Sequence, residues 1–411
     1  MATATPTVPS GPAHVAVVSF LAARAAPAGG FWIALAGGVA IARVAERRGA
    51  RLGFGASIAA MLETVAIIGP ARLGIPLTQA ATAPMLGRLD ARGWRLLPQI
   101  LACAAIRLVH NTATTAFFIW VITGGLDAYA GTYDAIGRHL GVEIGSADAL
   151  ALTLAGLLAW AAFASTVQVL IYRRGLANWD RLAHESDVDR DIGGKRQIGE
   201  AGAAAPQERR FDPRAIALAA AVAFALLLAS TEWALLAAVA LWLTVAWGAA
   251  RPDRQPLRAG LLFAALLSGG AFAFALGGGL GLDVAARRAA RAALLVLTAT
   301  WLRGAAGADG LREVSRRALG RLRRLPALPE ASLVLDQIAS EGRLAAAART
   351  LEVQLRGVPK RAMPFVDAVL HWVVCEAGAR REAPRRGAME LRVRPTDLVL
   401  LIAAVLPALA L

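Results

Sequence analysis

Long apolar runs alternate with short arginine-rich breaks along this chain, the pattern of a polytopic helical membrane protein. Residues 13–28 form a weak first segment, broken by Arg24 and Pro27, and 30–46 a better span ending in Arg43, Arg47, Arg48 and Arg51. The stretch 54–86 carries Pro70-Ala71-Arg72-Leu73-Gly74 in its middle and Pro76 and Pro84 beyond, and reads as two short spans or a re-entrant pair. Residues 96–123 and 149–172 are long spans. Between them, Asp127, Asp134, Glu143 and Asp148 stand against Arg138 alone, which predicts an outward-facing loop. The breaks at Arg43–Arg51, Arg88–Arg95 and Arg173–Arg174 then face the cytoplasm by the positive-inside rule. Counted this way, residues 1–174 make about six crossings with both ends inside.

Residues 175–210 lose the apolar period and mix charge with glycine, as a solvated cytoplasmic linker does. The second unit, 211–411, begins with a run (215–249) too long for one span, which Ser230-Thr231-Glu232-Trp233 turns into a hairpin. Residues 259–281 form the next span, and 292–302 the centre of another, approached through Arg287, Arg288 and Arg291. Those three arginines break the positive-inside rule if their loop is external. The tail from Leu398 to Leu411 reaches only about 21 Å as a helix, so it must recruit Leu391–Thr396 or stop short.

Between the last of these spans and the tail lies a basic block, Asp309 to Arg381. Leu311, Val314, Ala318, Leu322 and Leu325 recur at spacings of three and four, while Arg312, Arg316, Arg317, Arg321, Arg323 and Arg324 fill the other positions. This predicts an amphipathic helix over 309–325, lying in the membrane interface with its arginines solvated. A second helical run leads to Leu355-Arg356-Gly357, and a third, after Pro359, to Ala379-Arg380-Arg381.

Composition sharpens the class. The chain is 57% hydrophobic and 18% charged, and its formal charge is +15. In a membrane protein such basicity fits cytoplasmic loops and anionic lipid, with no nucleic-acid partner expected. Cys103 and Cys375 suit neither a disulfide framework nor a thiolate metal site. The N-terminus lacks the basic region of a cleavable signal peptide, so insertion is expected to rely on the spans. Gly193-Gly194-Lys195 lacks the spacing of a phosphate-binding loop. The five histidines are scattered, and neither a metal site nor a catalytic constellation is expected.

Polar groups inside the apolar spans carry more information, because ionisable residues there are costly unless paired or hydrated. Glu63 lies in one such span; Arg107, His110 and Asn111 lie in another, with Gln79 and Thr78 between. Arg107 shares a helical face with His110–Asn111, and Glu63 is the expected counter-charge. These residues are a candidate ligand site or, equally, a structural ion pair. Asp367 and His371, four apart, read as a local structural pair.

Order along the second unit carries a resemblance. Phe211-Asp212-Pro213-Arg214 precedes the apolar hairpin, further spans and the arginine-rich helix follow, and Arg394-Pro395-Thr396-Asp397 opens the final segment. From Phe211 to the C-terminus this resembles the transmembrane (T) component of energy-coupling factor (ECF) transporters. The resemblance implies an all-α subunit of the bacterial cytoplasmic membrane that has no ATPase motif of its own. It also implies two cytoplasmic ABC ATPase subunits that bind the ATP and drive uptake of a vitamin or metal ion, and a further substrate-capturing membrane subunit as a partner. The family's two short Ala-Arg-Gly/Ser motifs would dock the ATPases. Ala379-Arg380 matches the second, with Arg381 in place of a small residue; Arg356-Gly357 or Ala348-Arg349 matches the first. Substrate-capturing components are also six-span domains, so the front unit compares with them in topology alone. The alternative is an integral-membrane enzyme for a lipid or isoprenoid, centred on Glu63, Arg107 and His110.

Overall fold

The computed structural model describes residues 10–25, 29–70, 75–139, 141–193, 210–252, 254–338, 340–359, 361–379 and 391–410. All regular structure among them is helical. The helices are α1 (Ser10–Ala25), α2 (Gly30–Arg48), α3 (Ala50–Ile68), α4 (Ile75–Ala91), α5 (Leu96–Phe117), α6 (Leu126–His139) and α7 (Ser146–Gly193). They continue as α8 (Pro213–Ala229), α9 (Trp233–Ala250), α10 (Arg254–Gly277), α11 (Leu282–Arg321), α12 (Leu328–Leu335), α13 (Glu341–Arg356), α14 (Ala362–Ala379) and α15 (Pro395–Val405). Five apolar segments are long enough to cross a membrane: Ala50–Ile68, Leu96–Thr123, Ser146–Glu185, Trp233–Ala250 and Leu257–Gly277. Leu97, Leu101, Val109 and Trp120 stand exposed along α5 and its extension, as do Leu154, Leu158 and Phe163 along α7, a surface suited to lipid.

Local chemistry sets several boundaries. Asp212 caps α8 by accepting the backbone N–H of Arg214 at 2.8 Å, with Pro213 in the first turn, where its missing N–H is not needed. The end of α5 loosens into a π-helical turn, Phe118–Thr123, which Gly124 terminates in the left-handed region (φ 80°). Gly307, at φ 65°, bends α11 between its apolar first part and its charged second part.

Two large cores result. In the first, α1 and α2 are buried on nearly every side, from Ala13 to Val18 and from Ile33 to Val44. Around them pack α3, α4 and α7, together with α12, α13 and α14 through Val334, Leu335, Leu351, Val366 and Leu370. The short helices of the basic block therefore share the core of the front unit, although 150 residues or so of chain separate them from it in sequence. The second core joins α8, α9, α11 and α15 through Leu227, Leu235, Leu236 and Trp301, with Trp242 and Trp301 edge to face at 5.3 Å.

Two expectations need correction. The helix of α7 continues through the expected linker as far as Gly193; residues 194–209 lie outside the described residues. The weak first segment needs none: it is α1, 16 residues long, which ends at Ala25 beside the Arg24 break and is wrapped by other helices. Beyond a non-helical break at Gly307 (φ 65°, ψ 166°) the expected helix does form and ends at Arg321, but its arginines are not all solvated. Within that part Arg312 is 7% exposed, whereas Leu322 and Leu325 lie beyond the helix end and are exposed.

Candidate functional site

Burial explains the position of Arg312. Its guanidinium donates through Nε and Nη2 to the two carboxylate oxygens of Glu63, which is wholly buried on α3. Planar fork meets planar carboxylate, the geometry in which a charge pair best offsets its own desolvation. The counter-charge of Glu63 is thus Arg312 and not Arg107, a correction that periodicity within either segment could not have supplied.

Arg107 belongs to a different layer. Its Nη2 donates to Gln168 Oε1 of α7 at 2.6 Å, and Gln168 Nε2 donates to Thr82 Oγ1 of α4 at 2.9 Å. Cys103 Sγ lies 3.4 Å from the same Gln168 oxygen. Gln79 is 1% exposed, and neither atom of its amide finds a partner among the described residues. Such orphans are uncommon in folded proteins and each calls for an account. The layer is tight: a Cβ on Gly38 would lie 1.8 Å from Tyr172 Oη and 3.4 Å from Gln79 Oε1. Further along α5, His110 is half-buried, and Asn111 Nδ2 is buried without a partner among the described residues. Gln79, Arg107, His110 and Asn111 therefore lie on α4 and α5, while Glu63 is held elsewhere. Gln168 and Tyr172 were missed, although a glutamine inside the apolar run 149–172 carries the same signal that singled out Glu63.

A second group of charges ties the short helices in place. Arg51 on α3 meets Glu330 on α12 at 2.9 Å. Arg303 on α11 meets Glu341 on α13 at 2.6 Å and also donates to the Ile67 carbonyl at 2.7 Å. Arg174 on α7 grips Asp367 on α14 with two bonds of 2.8 and 2.9 Å. Asp367 therefore binds across helices and not to His371, whose Nε2 instead approaches Cys375 Sγ at 3.5 Å.

At the free end of α13, Arg356 is exposed and bonded to Glu352 at 2.9 Å. Gly357 caps the helix, and a Cβ there would meet nothing within 4 Å. In the alternative pair, Ala348 is buried in the front core and Arg349 is exposed. Ala379 is the last residue of α14; its side chain and the whole of Arg380 lie outside the described residues.

The two segments that open and close the second unit meet. Asp397 is fully buried and accepts the backbone N–H of Asp212 at 2.8 Å and that of Arg394 at 2.6 Å. Arg214 folds back on Asp212 with bonds of 3.0 and 2.8 Å. On the charged part of α11, Glu313 accepts from Arg316 at 2.6 Å and from Arg317 at 2.8 Å. Burial pushes the Glu313 and Asp212 carboxyls up, but hydrogen bonds and charge from Arg316 and Arg317 for Glu313, and mainly from Arg214 for Asp212, outweigh it. Both end below the ordinary carboxylate range.

Among the described residues no group of three or more His, Cys, Asp or Glu side chains is arranged to hold a metal ion. An open cavity of about 530 Å³ is lined by Asp134, Arg138, Glu143 and Ser146; none of the groups above lines it. No protein-family model, curated protein or solved structure matches the chain.

Proposed function

We propose that this chain is the membrane-embedded energy-coupling subunit of an importer of the ECF type, a multi-pass protein of the bacterial cytoplasmic membrane. In this reading two cytoplasmic ABC ATPases dock on the ends of α13 and α14, and their motion drives uptake of a vitamin or metal ion. The observation that carries it is the free end of α13. Arg356 and Gly357 stand exposed with open space above the glycine, while the buried face of the same helix is rooted in the front core through Leu344, Leu351 and Leu355. A helix anchored at one face and bare at its cationic end is suited to pass a push from a soluble partner into the membrane part. Arginine fits that task, since its fork can grip a carboxylate or helix C-terminal carbonyls and keeps its charge. In this reading the front unit, which packs on α12–α14, serves as a substrate-capturing domain.

The test is co-purification. The two ATPases co-expressed with this chain should come through mild detergent with the wild type and be lost with Arg356→Glu combined with Arg380→Glu. Undiminished ATPase recovery and uptake in that double variant would overturn the coupling role.

A further inference from the structure

Near the start of α11, three arginines fall within five residues, and they are not treated alike. Arg287 is neutralised by Asp283 at 2.6 Å and Glu232 at 3.1 Å, and Asp283 also accepts from Trp233 Nε1 at 2.7 Å. Arg288 pairs with no carboxylate among the described residues. The side chain is half-buried: its Nη2 donates to the Gly124 carbonyl at 3.1 Å, and its Nη1 is buried with no partner among the described residues. Arg291, one turn further into the protein, is 7% exposed and makes no hydrogen bond or ion pair with any described residue. Asp127, just beyond Gly124 on α6, is exposed and pairs with neither.

Two guanidiniums three residues apart on a helix project to the same side. A buried cation without a counter-ion is disfavoured in a protein interior, and more so at membrane depth, and such groups mark ion or ligand sites by default. The surroundings are built to hold the first of them. Gly124 sits at φ 80°, and a Cβ there would lie 2.0 Å from the Arg288 Cζ, so any other residue would displace the guanidinium. The π-helical turn of α5 delivers Gly124 to this point, and Ile122, Ala271 and Ala292 pack it against α10 and α11. The charge is therefore held in place but left unanswered.

We propose that Arg288 and Arg291 form a binding site for a phosphate-type anion. Arg291 stands sixteen positions, about 24 Å of helix rise, before the Gly307 kink, near the end of α11 that meets Glu232 and Trp233. Paired forks match the several oxygens of a phosphate better than a single carboxylate would. The anion has two sources, the headgroup of an acidic phospholipid or a free phosphate-bearing solute. The proposal rests on the chain being membrane-embedded and is independent of the importer reading.

The experiment uses the full chain purified in mild detergent, as wild type, as Arg288→Gln combined with Arg291→Gln, and as Arg291→Lys. One arm titrates phosphatidylglycerol against phosphatidylcholine and reads bound lipid by native mass spectrometry; the other follows the shift in melting temperature with inorganic phosphate. The wild type should retain phosphatidylglycerol, or respond to phosphate, at concentrations at least about tenfold lower than the double variant requires, the scale of one charge-assisted hydrogen bond. A lipid response alone identifies a headgroup, and a phosphate response identifies a free solute. Arg291→Lys, which keeps the charge and loses the fork, should fall between and tests the site even if the double variant fails to fold. Equal responses of wild type and Arg291→Lys in both arms would overturn the proposal, as would a wild type that answers neither probe.

Discussion

Glu63 and Arg312 lie 249 positions apart in the chain and face each other with both side chains buried. They fasten α3 of the front unit to the charged part of α11 just beyond its kink. Removing either partner would strand a buried charge, at a cost of about 3–5 kcal/mol. Glu63→Ala and Arg312→Ala should therefore each lower the melting temperature markedly. Replacing both with apolar residues, Glu63→Met with Arg312→Leu, should recover most of the loss. Thermal unfolding of the three variants in detergent checks this, and additive losses in the double variant would show that the residues do not act as a pair.

Acid should loosen the charged part of α11. Glu313 has its carboxyl held below its ordinary value of 4.5 by Arg316 and Arg317 against the effect of burial. A depressed native value contributes stability that is fully present above pH 4.5 and is lost as the pH falls through the native value. Asp212 acts in the same direction from its ordinary 3.8. Melting temperature should thus fall below about pH 4.5 in the wild type. In Glu313→Gln it should start lower at neutral pH and fall less steeply across that window.

The contact of Gly38 with Tyr172 is the tightest point of the polar layer. A methyl group on Gly38 would overlap the tyrosine hydroxyl, and overpacking of this kind costs about 1–3 kcal/mol. Gly38→Ala should be destabilised by that order, and Tyr172→Phe added to it should restore part of the loss. A chemical-denaturation series on the two single variants and the double variant measures the coupling.

Gly357 offers the opposite test. Since a Cβ there meets nothing within 4 Å, Gly357→Trp should leave the unfolding free energy within about 0.5 kcal/mol of wild type, as surface substitutions do. If the end of α13 seats in a groove on an ATPase, the same variant should fail to retain that ATPase on a column. Full retention would place the docking surface elsewhere.

The apolar periods and turn residues determined the class of fold and most of its helices. Pro213 behind a capping aspartate starts α8, the polar Ser230–Glu232 divides α8 from α9, and runs of about 20 apolar residues give the long spans wherever local composition decides. The buried, ionisable character of Glu63 and Arg107 was also legible, because a charge within an apolar run is anomalous in any fold. Their partners were not, because pairing is a property of distance in space. Arg312 looks like one of six solvated arginines until α3 is laid against it. Asp367 looks like the local partner of His371 until α7 brings Arg174 within 2.8 Å. Only the tertiary structure decided that the basic block closes the core of the front unit, because burying α1 and α2 on all sides requires helices that come from the far end of the chain.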